Sequence, residues 1–428
     1  MSARKLFNGL VILALLLQAS LAGRPTPVRA AEEPKPLSTD VCGPITSDTT
    51  WTLANSPYVV TCDVTVQAGV TLTIEPGVVV KFQDYWDNLV VNGRLMAQGT
   101  GAQSIVFTSL KDDAHGGDSN GDGSASSPAP DDWGSLRFTS SSTGSVLDHA
   151  VVRYGGGWYN QNIWVDTTDI ALTNSTIASA GGYGLYFDNV LPPTLSNNTF
   201  ISNTNYAAYA GLDDNADSIA LSGNTATGNG VNGFGVAGSI TRTVTWDGDD
   251  TLPFVADNDL TVNEGATLTL TPGTVVKFED YWVNLWVKGT LMADTTADAP
   301  ITFTSFKDDS VGGDTNGDGS ASSPAPDNWG SLRFTSSSTG SVLDHTVVRY
   351  GGYWYDQNVW VDSTDITLTN NTIAFAGGYG LYFDNALPPS LSHNTFISNT
   401  NYAAYAALAS NADSIALSGN TATGNGVN

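Results

Sequence analysis

Cations, cysteines and apolar runs are scarce in this 428-residue chain. Lys and Arg number 16 against 42 Asp and Glu, a formal net charge of −26. A surface of that sign repels phosphate backbones and argues against nucleic acid as a partner. Two cysteines and four histidines offer no Cys/His metal spacing and no visible Ser-His-Asp set. Beyond the N-terminus no segment is long or apolar enough to span a bilayer. Helix formers are few, which excludes a helical bundle. Thr, Ser, Asn, Val and Gly dominate instead and point to strands and turns. Hydrophobic residues at 41% and aromatics at 10% supply a core despite 45 Gly, so the chain is not disordered.

The N-terminus reads as a secretory signal peptide over residues 1–30. Arg4 and Lys5 form its basic start, and Leu10 to Leu17 its short apolar stretch. Cleavage fits after Ala22 or after Ala30. The mature protein is therefore expected to be secreted or held at the cell surface. In that oxidising setting Cys42 and Cys62 are expected to pair, closing a loop worth about 3 kcal/mol in the chain-entropy model.

The sequence repeats itself. Lys81-Phe82-Gln83-Asp84-Tyr85-Trp86 returns 196 residues later as Lys277-Phe278-Glu279-Asp280-Tyr281-Trp282. The offset holds without a gap from Val66/Val262 to Asn232/Asn428, and only 20 of the 128 pairs from Ile105/Ile301 onward differ. Within each copy, alternating β-branched runs are split by Gly, Asn and Asp about every 25 residues, a solenoid coil length. Residues 111–132 interrupt that period as an insertion.

Val64-Thr65-Val66 followed by Gly69-Val70-Thr71-Leu72-Thr73-Ile74 and Pro76-Gly77-Val78-Val79-Val80-Lys81-Phe82 resembles the opening coils of bacterial secreted right-handed parallel β-helix proteins of the pectate-lyase-like superfamily. Leu195-Ser196-Asn197-Asn198-Thr199-Phe200 is similar to their short coil repeat. The resemblance implies an all-β fold, a right-handed parallel β-helix solenoid in two near-identical tandem blocks. It leaves function open, since that fold hosts lyases, hydrolases, esterases, adhesins and stalks. The expected organisation is a cap over 31–63, a first block over 64–259 with insertion 111–132, and a second over 260–428 with insertion 307–328. The second block reads as incomplete at its C-terminal end.

Three kinds of site follow. Asp118, Asn120 and Asp122 place oxygens at the first, third and fifth positions of a calcium loop, with Gly123 at the sixth and Ser124 able to add a carbonyl. The loop resembles those of dockerins and thrombospondin type-3 repeats. It departs from an EF-hand in lacking an acid at the twelfth position and flanking helices. Asp112, Asp113, Asp131 and Asp132 could complete the shell. The second copy offers Asp314, Asn316, Asp318 and Ser320, with Asp308, Asp309 and Asp327 nearby. The expected cofactor is structural Ca2+, ordering the loop rather than doing chemistry.

Stacking the coils in register predicts an outward column of Val90, Arg137, Trp164, Tyr186 and Tyr209, repeated as Trp286, Arg333, Trp360, Tyr382 and Tyr405. Tyr85, Trp86, Trp158 and Tyr159 flank it at the corners. Rings stack on the apolar faces of sugars, so the column is a candidate glycan-binding face; a ladder that only stabilises the sheet is the competing account. Asp166 and Asp188, with Asp362 and Asp384 in the second copy, end equivalent strands and are weak candidates for a carboxylate pair. Asn92 holds the same corner, which marks an ordinary turn ladder. The leading expectation is a non-catalytic glycan-binding or adhesin-like module whose partner is a polysaccharide or cell-surface glycan. A polysaccharide hydrolase or lyase is the alternative, and a passive extracellular spacer the third reading.

Overall fold

A computed structural model describes residues 38–190, 194–212, 217–248, 251–385, 388, 390–408 and 415–428. The signal peptide and the first residues of the expected cap lie outside the described residues. The rest is a parallel β-solenoid of about 15 turns with essentially no helix. Each regular turn supplies three short strands. Ser145–Asp148, Ala150–Arg153 and Gln161–Asp166 make one turn, and Ile170–Thr173, Thr176–Ala178 and Tyr183–Asp188 the next. They pair in parallel, turn on turn, as a first, second and third stack. Among the described residues no helix is long and apolar enough to cross a membrane.

The two-residue alternation builds the core. Leu72, Leu95, Leu147, Leu172, Leu195 and Leu221 point inward from the first stack and are buried. Ile177 and Phe200 do so from the second, and Phe138, Val165, Phe187 and Ala210 from the third. The chain turns from the first stack to the second through left-handed residues, His149, Asn174 and Asn197, with φ of 50°, 50° and 55°. Asn tolerates that region best among residues with a side chain. Cys42 and Cys62 are bonded, with Cα atoms 5.0 Å apart. The bond ties the first strand, Thr39–Ile45, to its partner Tyr58–Val66. Tyr58–Val66 and Phe254–Val262 both run across the expected block starts at 64 and 260.

Asparagine amides stack inside the corners. Asn203 accepts from the Ala180 N–H at 3.0 Å and donates to the Ile177 carbonyl at 3.1 Å and to Asn229 Oδ1 at 2.8 Å. Asn198 does the same for Ser175, Leu172 and Asn224 one corner earlier. Corner backbone groups that the strands cannot pair, and that water cannot reach, are satisfied this way.

The junction between the copies changes the stacking. Tyr209 in the third stack pairs with Gly235, Gly235 with Val255, and Val255 with Lys277. Lys277 belongs to Val275–Phe278, the counterpart of Val79–Phe82 in the second stack. The third stack of the first copy thus continues as the second stack of the second copy. Gly235 is required there, because a Cβ would lie 2.4 Å from the Tyr209 ring. The Tyr206 hydroxyl donates to Glu279, and Tyr209 to Asp257 at 3.1 Å. The first-copy counterparts of these acids are Gln83 and Thr61, so the acid pair is special to the junction.

Burial pushes the Asp257 carboxyl up to about 6, and Glu279 nearby adds to the shift. Burial and the facing acids also push the Tyr206 and Tyr209 hydroxyls up. A carboxyl raised in the folded state holds its proton more tightly there. Its stabilisation is complete below the ordinary value of 3.8 and is lost as pH rises through about 6. Lowering the pH from 7 to 5 should therefore firm the junction. The gain in melting temperature should shrink in Asp257→Asn, and an unchanged pH response in that variant would remove Asp257 from the account.

Candidate functional site

The insertion leaves the corner between Ile105–Ser109 and Leu136–Phe138 and folds back over the second stack. Val79–Phe82 is consequently buried on both faces. Trp133 closes the insertion, stacking on Phe82 with ring centroids 4.0 Å apart and donating to the Arg153 carbonyl at 2.8 Å. Lys81, pointing away from the core, is buried under the loop and donates to the Gly117 carbonyl at 2.5 Å. Its counterpart Lys277 reaches the Asp308 and Gly313 carbonyls at 2.9 Å each and Thr315 Oγ1 at 2.6 Å. Burial pulls Lys277 down to about 8.

Within the loop, Asp118 accepts from the N–H groups of Gly121, Asp122 and Gly123 at 2.7, 3.1 and 2.8 Å. Asp122 accepts from Asn120 and from the Ser126 hydroxyl, at 3.0 and 2.5 Å. Asp113, Asp118 and Asp122 each offer an oxygen, all within 4.8 Å of one another, and Asp309, Asp314 and Asp318 repeat the set. Desolvation and the neighbouring Asp118 push Asp113 up. Oδ1 of Asp113 and Oδ1 of Asp309 are shut off from solvent without a hydrogen-bond partner. An all-oxygen set with a buried orphan acceptor fits a hard cation such as Ca2+.

Of the four further acids named for the shell, only Asp113 joins. Asp112 is bound to Arg153 at 2.5 Å and to Thr108 at 2.6 Å. Asp132 pairs with Lys111 at 2.6 Å, and Asp131 packs against Gly181. In the second copy Asp308 pairs with Arg349 at 2.6 Å. Asp327 packs against Gly377. Ser124 and Ser320 are exposed, and the hydroxyl bound to the loop carboxylate is that of Ser126 or Ser322. Reading the loop as a six-residue motif hid this, because Ser126 lies outside it.

The aromatic columns form in the expected register. Val90, Arg137, Trp164, Tyr186 and Tyr209 are paired neighbours, as are Trp286, Arg333, Trp360, Tyr382 and Tyr405. Their exposure differs from the expectation. Trp164, Tyr186, Tyr209, Trp286, Trp360 and Tyr382 are half-buried, and Arg333 is only 6% exposed. The cause is mutual stacking. Tyr186 lies on Tyr209 at 5.6 Å and 9°, and the Arg137 guanidinium sits 4.2 Å from the Trp164 ring. Arg333 is enclosed by Trp286, Tyr355 and Trp360 at 4.1, 3.8 and 3.8 Å. Ring faces that a sugar would use are occupied by neighbours.

Tyr405, at the end of the second column, is exposed at 39% as expected, but the most open rings stand at the corner before the third stack. Trp158 is 61% exposed and Trp86 56%, with centroids 5.0 Å apart, and Tyr85 adjoins Trp86 at 4.9 Å. The second copy places Tyr281 against Tyr353 at 4.4 Å, and Tyr353 against Trp354, which is 72% exposed. Tyr353 replaces Gly157 and adds a ring.

Asp166 and Asp188 are paired neighbours, as are Asp362 and Asp384. Each accepts from the side chain of the next residue: Thr167, Asn189, Ser363 and Asn385 at 2.9, 3.3, 2.8 and 2.8 Å. Those four donors have positive φ, so the acids sit at stacked corners. No protein-family model, curated protein or solved structure gives a significant match to the chain. The class defined by the coordinates is therefore the parallel β-solenoid itself.

Proposed function

We propose that the chain is a secreted or cell-surface, non-catalytic glycan-binding module of adhesin-like character, with loops ordered by Ca2+. The observation that carries this reading is the pair of exposed aromatic corners, Tyr85, Trp86 and Trp158 in one copy and Tyr281, Tyr353, Trp354 and Tyr355 in the other. Contiguous exposed rings are costly unless a partner covers them. The columns beside them, half-buried except at Tyr405, mainly fix the corners. The Cys42–Cys62 bond supports an oxidising compartment. The calcium reading rests on the three-carboxylate sets and the orphaned oxygens of Asp113 and Asp309. Asp113, Asp118 and Asp122 would hold the ion, which would supply loop order.

The mutual stacking within the columns favours one further reading, a spacer whose rings only stiffen the sheet. Retention on a panel of insoluble polysaccharides in calcium separates the two. The wild type should be retained, and the Trp158→Ala/Trp354→Ala double variant should lose at least tenfold, since each ring contributes about 1 kcal/mol. Both copies must change, because one intact site on a polymeric matrix masks the loss of the other. Equal retention of both proteins, or none of either, would leave the spacer.

A further inference from the structure

The shift of stacks at the junction bears on what the two corners can hold at once. In each copy the exposed rings lie at the corner between the second and third stacks. Tyr85 and Trp86 fall between Val79–Phe82 and Leu89–Val91, and Trp158 between Ala150–Arg153 and Gln161–Asp166. Tyr281 falls between Val275–Phe278 and Leu285–Val287, and Trp354 between Thr346–Arg349 and Gln357–Asp362. The third stack of the first copy is continued by the second stack of the second, through Tyr209, Gly235, Val255 and Lys277. The first cluster therefore stands on the entry side of that shared sheet and the second cluster on its exit side. A strand of three to six residues separates them laterally, about 10–20 Å at ordinary strand rise. Seven pairing steps from Trp164 to Trp360 set them about 30–35 Å apart along the coils, at the usual strand spacing.

The path between them is also blocked. The second insertion lies over the sheet that continues the first copy's column. Asn232 donates its backbone N–H to the Thr315 carbonyl and its amide to the Asp314 carbonyl, at 2.8 and 3.0 Å. Phe306 packs against the cluster of Tyr206, Val231 and Val255. The second column starts instead from Ser239 and Thr261, four residues further along the strand Val231–Ile240 and past its break in register. A straight polymer lying on one aromatic corner runs into this loop before it can reach the other.

We propose that the chain is bivalent: its two aromatic corners hold two separate strands of a neutral polysaccharide and bridge them. The inference rests on the glycan-binding reading above. The charge of −26 repels polyanions, which favours a neutral over an acidic polysaccharide.

The test uses beads coated with hydroxyethylcellulose, a neutral β-linked glucan, and a soluble fluorescein-labelled form of the same polymer. Wild-type protein is loaded in calcium, the beads are washed, and capture of the labelled polymer is read. Trp86→Ala/Trp158→Ala and Tyr281→Ala/Trp354→Ala are the single-corner variants, and their exposed positions leave the core intact. Bridging predicts that wild type and both variants stay on the beads. It also predicts that labelled polymer is captured by wild type and at least tenfold less by either variant. Retention with undiminished capture by the variants, or without capture by wild type, overturns bivalence and leaves the binding reading standing. Failure of wild type to stay on the beads overturns the neutral-glycan reading itself, and bridging with it.

Discussion

Asn203→Ala is expected to destabilise the chain by about 2–4 kcal/mol. The substitution strands the Ala180 N–H and takes the side-chain donor from the Ile177 carbonyl and from Asn229 Oδ1, which keeps only the Asn203 backbone N–H at 3.0 Å. Each buried group left without a partner costs about 1–3 kcal/mol. Asn203 is 1% exposed, so water cannot replace the lost bonds without opening the corner. Solenoid stability is a sum over neighbouring turns, and the damage should stay local. Amide exchange should accelerate at Ala180 and the strands beside it and leave the Asn394 and Asn399 corners of the second copy unchanged. Thr225→Ala, at an exposed position, should fall within about 0.5 kcal/mol of wild type. A loss below about 1 kcal/mol for Asn203→Ala would show that the corner is held by something other than its amide file.

Chelation is expected to free both insertions, with unequal consequences. Three carboxylates within 4.8 Å repel one another unless a cation lies among them. Calcium at a hundredfold excess over its dissociation constant adds about 2.7 kcal/mol per site. Digestion by a non-specific protease within 111–132 and 307–328 should quicken at least tenfold in EDTA. The first loop rests on the opening coils, where Gly116 packs against Pro57. The second bonds Asn232 of the first copy through the backbone of Asp314 and Thr315. Asp314→Ala should therefore lower amide protection across Val231–Ile240, whereas Asp118→Ala should not. Identical digestion with and without chelator would refute the calcium reading outright.

The sequence made the strand rows legible and left their surroundings obscure. Leu185-Tyr186-Phe187 shows which residue faces out, because its apolar neighbours must face in, and every such triplet stacked in the expected register. Whether an outward residue meets solvent is a different question. Lys81 faces outward into a loop that begins 30 residues later, and no local pattern records that cover. The columns were expected to be open for the same reason, since spacing along a strand carries no information on ring tilt. Among the loop acids, Asp112 and Asp113 are indistinguishable in sequence. Arg153, 41 residues away, takes the first and leaves the second for the cluster. The junction was hidden because Val231–Ile240 carries three glycines and small residues, so its alternation is too weak to fix a register.

The turn-on-turn bonding also has a mechanical side. Each coil is held by the coils on either side, with 23 or 26 residues between successive corner amides. A pull on the two ends would meet one coil's bonds at a time rather than the whole structure together. Each yielding coil would pay out roughly 75–95 Å of extended chain. At the junction the load would reach the Tyr–carboxylate pairs and the Asn232 contacts with the second loop, which bond the copies beyond the strand ladder. That seam would act as a stop in the unravelling, so that one copy could come apart as a tether while the other kept its grip.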